Sequence, residues 1–176
     1  MQSDHTVYKL ILLFVFDKME VPLSENTILD MCTGSNNWIP YMDCKLVIKQ
    51  LLDESNFIYH INANTAGAEP LYTITPEGRV CLAHFFIRIP STLREEISEY
   101  VKQNRMNYRR KQEYFADYHK NADGSYTVIL RIIDSVQPVF EVKLNVPSRP
   151  TAKWIYKKWE EKAAQVYSTL YDMLVD

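Results

Sequence analysis

The chain has 176 residues, with 20 Lys and Arg against 22 Asp and Glu, and 47% of its residues are hydrophobic. These values are ordinary for a globular protein of one domain or two small ones. The longest apolar run covers residues 10–16, far short of the roughly 20 residues of a membrane span, and the first residues lack a signal-peptide pattern. Composition therefore predicts a cytoplasmic protein with no membrane partner.

Residue types that support catalysis or metal binding are scattered along the chain. The three cysteines form no C-x-x-C pair, the four histidines fall in no metal-binding frame, and neither glycine-rich phosphate-loop pattern occurs among the four glycines. The sequence therefore predicts no enzyme, no catalytic residue, no metal site and no cofactor.

Charge is distributed unevenly between the two halves of the chain. Residues 1–90 contain six Lys and Arg against ten Asp and Glu, a net charge of −4, whereas residues 91–176 contain fourteen against twelve, a net charge of +2. Proteins that bind DNA are usually basic on the surface that contacts it, because neutralised phosphates supply much of the affinity. This distribution favours partners other than DNA for the front half.

The front half is predicted to alternate helices with one hairpin. Ser24 and Thr75 are suited to cap helices, Pro76 suits a first helical position, and Gly34 suits a left-handed helix end. The predicted elements are helices Val7–Met19, Glu25–Met31, Tyr41–Ser55 and Glu77–Ile89, strands Phe57–Ile61 and Leu71–Ile74, and a polar hairpin tip Asn62–Pro70.

A helix followed directly by a two-stranded hairpin is typical of the second half of a winged helix-turn-helix, which lays one helix in a DNA groove. Lysine can bind phosphate or guanine, and asparagine can pair with adenine. The predicted DNA-binding residues lie before the third helix, on its exposed face and in the hairpin tip: Asn36, Asn37, Tyr41, Lys45, Lys49, Asn62 and Asn64.

A basic run follows in the next predicted helix, which begins near Ser91. Its members are Lys102, Arg105, Arg109, Arg110 and Lys111. Cations at the carboxyl end of a helix are favoured by the helix dipole, which is a sufficient structural reason for the run. The functional alternative is a phosphate-binding patch or a docking site for an acidic partner.

The rest of the chain predicts a small α+β unit. Strands Glu113–His119, Tyr126–Asp134 and Val139–Val146 form an antiparallel meander with the second strand in the middle, and the helix Pro150–Leu174 lies across it. Aromatic residues on that helix extend beyond its core-facing stripe. We expect them to form a homodimer interface or a pocket for a flat small-molecule effector: Trp154, Trp159, Tyr167 and Tyr171.

Residues 51–58 (LLDESNFI) and 72–78 (YTITPEG) resemble winged-helix regulators of the PadR/MarR kind. Those proteins carry a recognition helix ending in L-x-x-x-G-[LF]-I, then a wing, then Y-x-[IL]-T-x-x-G. Asn56 replaces the glycine, and asparagine also accepts a left-handed backbone. With residues 89–91 and 144–148, the whole chain resembles an uncharacterised bacterial family of domain-of-unknown-function type, whose members join such a front half to a small α+β tail.

The predicted fold class is α+β: an N-terminal winged helix-turn-helix, then a helix, a three-stranded antiparallel meander and a long C-terminal helix. The predicted domains are residues 1–90 and 91–176. The leading functional hypothesis is a homodimeric transcription regulator that binds double-stranded DNA. The alternative is a winged helix retained for protein–protein interaction, which does not bind DNA.

Overall fold

The computed structural model describes residues 2–61, 69–134 and 137–175. Within them the fold is α+β, with six α-helices and two three-stranded antiparallel sheets. Contacts divide the chain into a front unit, Met1–Arg105, and a rear unit, Met106–Asp176. The division falls inside a helix, whereas the sequence places the boundary at residue 90, which stays a prediction.

The front unit runs from the first helix into the fifth. Its elements are α1 (Gln2–Met19), β1 (Leu23–Ser24), α2 (Glu25–Thr33), α3 (Tyr41–Lys49), β2 (Ile58–Ile61), β3 (Leu71–Ile74), α4 (Pro76–Phe85) and the first part of α5 (Ser91–Glu113). The rear unit contains the end of α5, β4 (Tyr114–Lys120), β5 (Tyr126–Asp134), β6 (Gln137–Val146) and α6 (Arg149–Val175).

Helix α1 is the centre of the front core, because every residue from Leu10 to Phe16 is buried. A helix that is apolar on all sides must be surrounded, and α3, α4 and β3 pack against it. The small sheet has the strand order β1–β3–β2, with Leu23 opposite Tyr72 and Ile58 opposite Ile74. The two-residue strand β1 was not predicted from the sequence.

Two predicted helix caps are confirmed. The Ser24 hydroxyl accepts a hydrogen bond from the Thr27 amide at 3.2 Å, and the Thr75 hydroxyl accepts one from the Gly78 amide at 3.0 Å. Each cap satisfies an amide that has no partner inside its helix. Pro76 occupies the first position of α4, as predicted.

Other helix ends differ from the prediction. Gly34 has a φ of −72° and is not left-handed; the positive φ, 48°, belongs to Asn37. Helix α3 gives way at Lys49 to a single π-helical turn, Gln50–Glu54, in which the Ser55 amide bonds back to the Gln50 carbonyl at 3.1 Å. This wider turn keeps Leu51 fully buried.

Helix α4 ends at Phe85 and is followed by a tighter 3₁₀ turn, Phe86–Arg88, instead of continuing to Ile89. The reason is Pro90, which has no amide hydrogen for the Phe86 carbonyl. The Ile89 amide takes that carbonyl instead, at 3.1 Å, and closes the shorter turn.

The rear unit is the predicted meander, with strand order β4–β5–β6 and one helix on its inner face. Gly124 has a φ of +86° in the hairpin turn between β4 and β5. Strands β5 and β6 run in regular register until a bulge between Ile132 and Ile133. The core joins this sheet to α6 through Val128, Leu130, Val146, Ala152, Trp159 and Ala163.

Candidate functional site

Helix α3 presents one exposed face, which we call the α3 face: Tyr41, Met42, Lys45, Leu46 and Lys49. Helical spacing places Cys44, Val47 and Ile48 on the opposite side of the helix, where they point into the core. Met42 is 75% exposed and Leu46 is 42% exposed. Leu46 was missed in the sequence, although its position four residues after Met42 places both on one side of the helix.

The α3 face carries two lysines, Lys45 and Lys49, and the exposed carboxylate of Asp53 follows one turn beyond Lys49. The one carboxylate of the helix, Asp43, is half-buried, and its Oδ1 lies 3.1 Å from Nε2 of His5 on α1. The Lys45 ammonium lies 3.8 Å from a carboxylate oxygen of Glu25 and 5.6 Å from the centre of the Tyr41 ring. The Glu25 pair is half-exposed, and such pairs contribute little to stability, so Lys45 can exchange this partner for another anion.

The turn before α3 is held by one of the predicted DNA-binding residues. Asn36 Nδ2 donates a hydrogen bond to the Met31 carbonyl at 2.9 Å, which ties the turn to the end of α2. Asn37 supplies the left-handed residue. Asn62 and Asn64 lie outside the described residues, so their predicted role in DNA binding stays a prediction.

Helices α2 and α3 also meet through two buried thiols, Cys32 and Cys44. A side-chain hydrogen bond with Cys44, together with burial, raises the pKa of Cys32 well above its ordinary value. Cys32 therefore remains protonated at neutral pH, and the two buried cysteines pack as small apolar side chains that fix α3 against α2.

The basic run on α5 is engaged with neighbouring side chains in both units. In the front unit, Arg105 Nη1 lies 3.0 Å from a carboxylate oxygen of Glu20. In the rear unit, Arg109 Nε lies 2.6 Å from a carboxylate oxygen of Glu113, one turn further along. Lys102, Arg110 and Lys111 complete the run; Lys102 lines a cavity of the front unit, and the Lys111 ammonium lies 6.0 Å from the centre of the Tyr108 ring. The role of the run as a phosphate patch stays a prediction.

A second candidate site is an apolar groove of about 700 Å³ in the rear unit, between α6 and β6, which we call the rear groove. Helix α6 packs mainly over β4 and β5, so the inner face of β6 is incompletely covered. The lining consists of Leu130, Phe140, Val142, Leu144, Trp154, Ile155, Lys158, Trp159, Lys162, Gln165, Val166, Thr169, Leu170 and Met173. An effector that bound here would have to be largely apolar.

The predicted aromatic residues of α6 divide between core and surface. Trp159 is only 3% exposed, its Nε1 donates to the Arg131 carbonyl at 3.2 Å, and its ring stacks on Phe140. It is therefore first a core residue. Tyr167 packs edge-on against Phe140 with ring centres 5.7 Å apart, whereas Trp154 and Tyr171 are exposed.

Among the residues that the structure describes, no group of three or more His, Cys, Asp or Glu side chains is placed to hold a metal ion. No helix in the described part of the chain is both long enough and apolar enough to cross a membrane.

Residues 8–174 match the family described as Domain of unknown function (DUF4364), and the chain belongs to that family. No curated protein and no solved structure matches the chain.

Proposed function

We propose that this DUF4364 member is a transcription regulator whose front unit is a winged helix-turn-helix that binds double-stranded DNA through α3. In this proposal α2 and α3 form the helix-turn-helix, and β2 with β3 forms the wing. The protein acts as a homodimer on a two-fold symmetric operator, since dimeric helix-turn-helix proteins bind two half-sites.

The order of elements in the front unit supports this proposal. Helices and strands follow one another as α1, β1, α2, α3, β2 and β3, and the sheet pairs β1 with β3 and β3 with β2. A short strand between the first two helices and a hairpin directly after the third are typical of winged helices. The buried thiols and the Asn36 hydrogen bond fix α3 relative to α2, which a helix that reads DNA requires.

The observation that carries the proposal is the charge on the α3 face. Lys45 and Lys49 are exposed one turn apart, and the carboxylate within α3, Asp43, is half-buried against His5. Two cations on one helix face can each neutralise a phosphate or contact a guanine.

The net charge of −4 on residues 1–90 is a sum over the whole stretch, and two of its ten acidic residues are paired on α1 or just after it. Asp17 forms an ion pair with Arg79, and Glu20 forms one with Arg105. Binding to DNA depends on the local charge of the contact surface more than on the total charge of the domain.

Fluorescence anisotropy with labelled duplexes, including the protein's own promoter region, tests the proposal at several salt concentrations. We expect binding that weakens as salt increases. The double substitution Lys45→Glu with Lys49→Glu removes two cations per copy, so the slope of log K against log salt should become shallower by about 1.8 per copy.

The matched control is Lys153→Glu with Lys157→Glu, two exposed lysines at the same spacing on α6. This control should keep the binding and the salt slope of the unsubstituted protein. Equal affinity for DNA in the α3 variant and the control would exclude α3 as the reading helix. Absence of binding by the folded protein at low salt would exclude the DNA-binding function.

One observation favours a second candidate, a protein-interaction module. The lysines of the α3 face are interleaved with Met42 and Leu46, both exposed, and an apolar stripe flanked by cations suits an acidic amphipathic helix. In that case Met42→Ser with Leu46→Ser would abolish capture of the partner. For a DNA reader whose affinity comes from phosphate contacts, the same change would leave the salt slope intact.

A further inference from the structure

Strand β6 is an open edge of the rear sheet. Within the described residues it pairs with β5 on one side only. Its other side carries the unpaired amides and carbonyls of an edge strand, which are a template for another strand. The inner face of β6 is also incompletely covered, since Leu144 is 39% exposed beside the rear groove.

We propose that β6 pairs antiparallel with β6 of a second copy of this chain, around a two-fold axis at Val142, and joins two meanders into one six-stranded sheet. This inference deepens the proposed function, because a two-fold operator requires a two-fold dimer. Its test contains no DNA, so the dimer and DNA binding can fail independently.

The two faces of β6 restrict the possible registers. Phe140, Val142, Leu144 and Val146 belong to the inner face, because their partners on β5 are the core-facing residues. Glu141 and Lys143 lie opposite Arg131 and Ile129 on the outer face. A symmetric pair of β6 strands must place inner residues opposite inner residues, so the two-fold axis passes through a residue and not between two.

The charges of Glu141 and Lys143 then decide where along the strand the two-fold axis lies. An axis at Glu141 places two carboxylates directly opposite each other, and an axis at Lys143 does the same with two ammonium groups. An axis at Val142 places each Glu141 opposite Lys143 of the second copy, twice in one interface. Opposite charges across a strand pair stabilise it and like charges destabilise it.

The ends of β6 fit the same register. Pro138 is the second residue of β6, Pro147 follows its last residue, and neither can donate a hydrogen bond to a further ladder. The bulge at Ile133 adds a second interruption on the Pro138 side. The regular part of the strand is thus Phe140–Val146, and an axis at Val142 pairs residues 140–144 of the two copies within it. In this register, Phe140 meets Leu144 of the second copy on the inner face.

Such a short ladder belongs to the small class of interfaces, below about 1,200 Å² in total. We therefore expect a dimer that dissociates in the micromolar range, and sedimentation velocity on the full chain from about 1 to about 100 µM measures it. The unsubstituted protein should shift from one chain of 20.7 kDa towards a particle of twice that mass.

Charge reversal at two positions tests the register. Glu141→Lys and Lys143→Glu each create like-charge pairs, and each should weaken self-association at least tenfold. The double variant restores opposite charges and should dimerise again. An equimolar mixture of the two single variants should form a heterodimer. One copy then has lysine at positions 141 and 143, the other has glutamate at both, and every lysine lies opposite a glutamate.

Glu160→Lys, an exposed charge reversal on α6, is the matched control and should leave the dimer unchanged. Glu141→Lys also removes ion pairs with Arg131 and with Lys143 of the same chain, so circular dichroism must show that it folds. Lys143→Glu removes the second of these pairs, keeps the pair between Arg131 and Glu141, and provides a second result. A protein that stays monomeric over the whole range, or a dimer that both single reversals leave intact, would overturn the proposal.

Discussion

Gly78 is the glycine of the YTITPEG segment, and the structure gives a steric reason for it. A Cβ at this position would lie 2.4 Å from the Phe57 carbonyl oxygen and 2.9 Å from Cγ1 of Ile74. The same carbonyl accepts a hydrogen bond from the Thr75 amide at 2.9 Å. The first turn of α4 therefore packs directly on the backbone before β2, and we expect Gly78→Ala to destabilise the protein.

The size of the effect follows from three contributions. Cβ atoms essentially never approach a neighbour closer than 3.0 Å, and ordinary contact begins at 3.4 Å, so α4 and the Phe57 backbone must separate by roughly 0.6–1.0 Å, which costs about 1–3 kcal/mol as overpacking. The strained Thr75–Phe57 hydrogen bond contributes a further loss of about 1 kcal/mol. Alanine in place of glycine within a helix returns about 1 kcal/mol. The net loss is about 2 kcal/mol.

Thermal unfolding followed by circular dichroism measures this loss. For a chain of this size, about 2 kcal/mol lowers the midpoint by roughly 4–8 °C. Ala83→Gly is the matched control, because Ala83 is an exposed residue of the same helix and its replacement should cost about 1 kcal/mol through helix propensity alone. An unchanged or higher midpoint for Gly78→Ala would refute the steric argument.

Two further predictions concern single residues. Asn56 has a φ of 53°, so Asn56→Ala should cost about 1 kcal/mol in urea unfolding, whereas Asn56→Gly should cost nothing; equal losses for both would contradict this. The hydrogen bond from Arg131 Nε holds the pKa of Glu141 below its ordinary value. The ionised Glu141 carboxylate therefore stabilises the fold fully above the unfolded-state pKa of about 4.3, and this stabilisation is lost as pH falls through the lower folded-state pKa. Arg131→Gln should raise the Glu141 pKa in an NMR titration, and an unaltered pKa would show that Arg131 is not the cause.

Elements with a strong local signal were predictable from the sequence. The caps at Ser24 and Thr75 and the strand Leu71–Ile74 depend on neighbouring residues, and the structure confirms them. Strand β1 was missed because it has two residues and is defined only by pairing with β3, far along the chain. The end of α3 also depends on distant packing, since the wider turn is set by the burial of Leu51.

The candidate site was predictable from the sequence only where local spacing determines it. Helical spacing alone places Lys45 and Lys49 together on the α3 face. Spacing could not show that Asp43 bonds to His5 on another helix, nor that Asn36 is used to hold the turn. Those facts depend on tertiary contacts, and they show that Asp43 and Asn36 have partners within the fold.

Helix α1 has a consequence for biosynthesis. Its unbroken buried stretch, Leu10–Phe16, has no polar side that water could cover while the helix is alone. The ribosome must add 56 residues between the end of α1 and the start of α4, one of the helices that enclose it. At about 5–20 residues per second, this takes about 3–11 s. During that interval the apolar side chains of α1 lack the cover that α4 gives them in the folded protein.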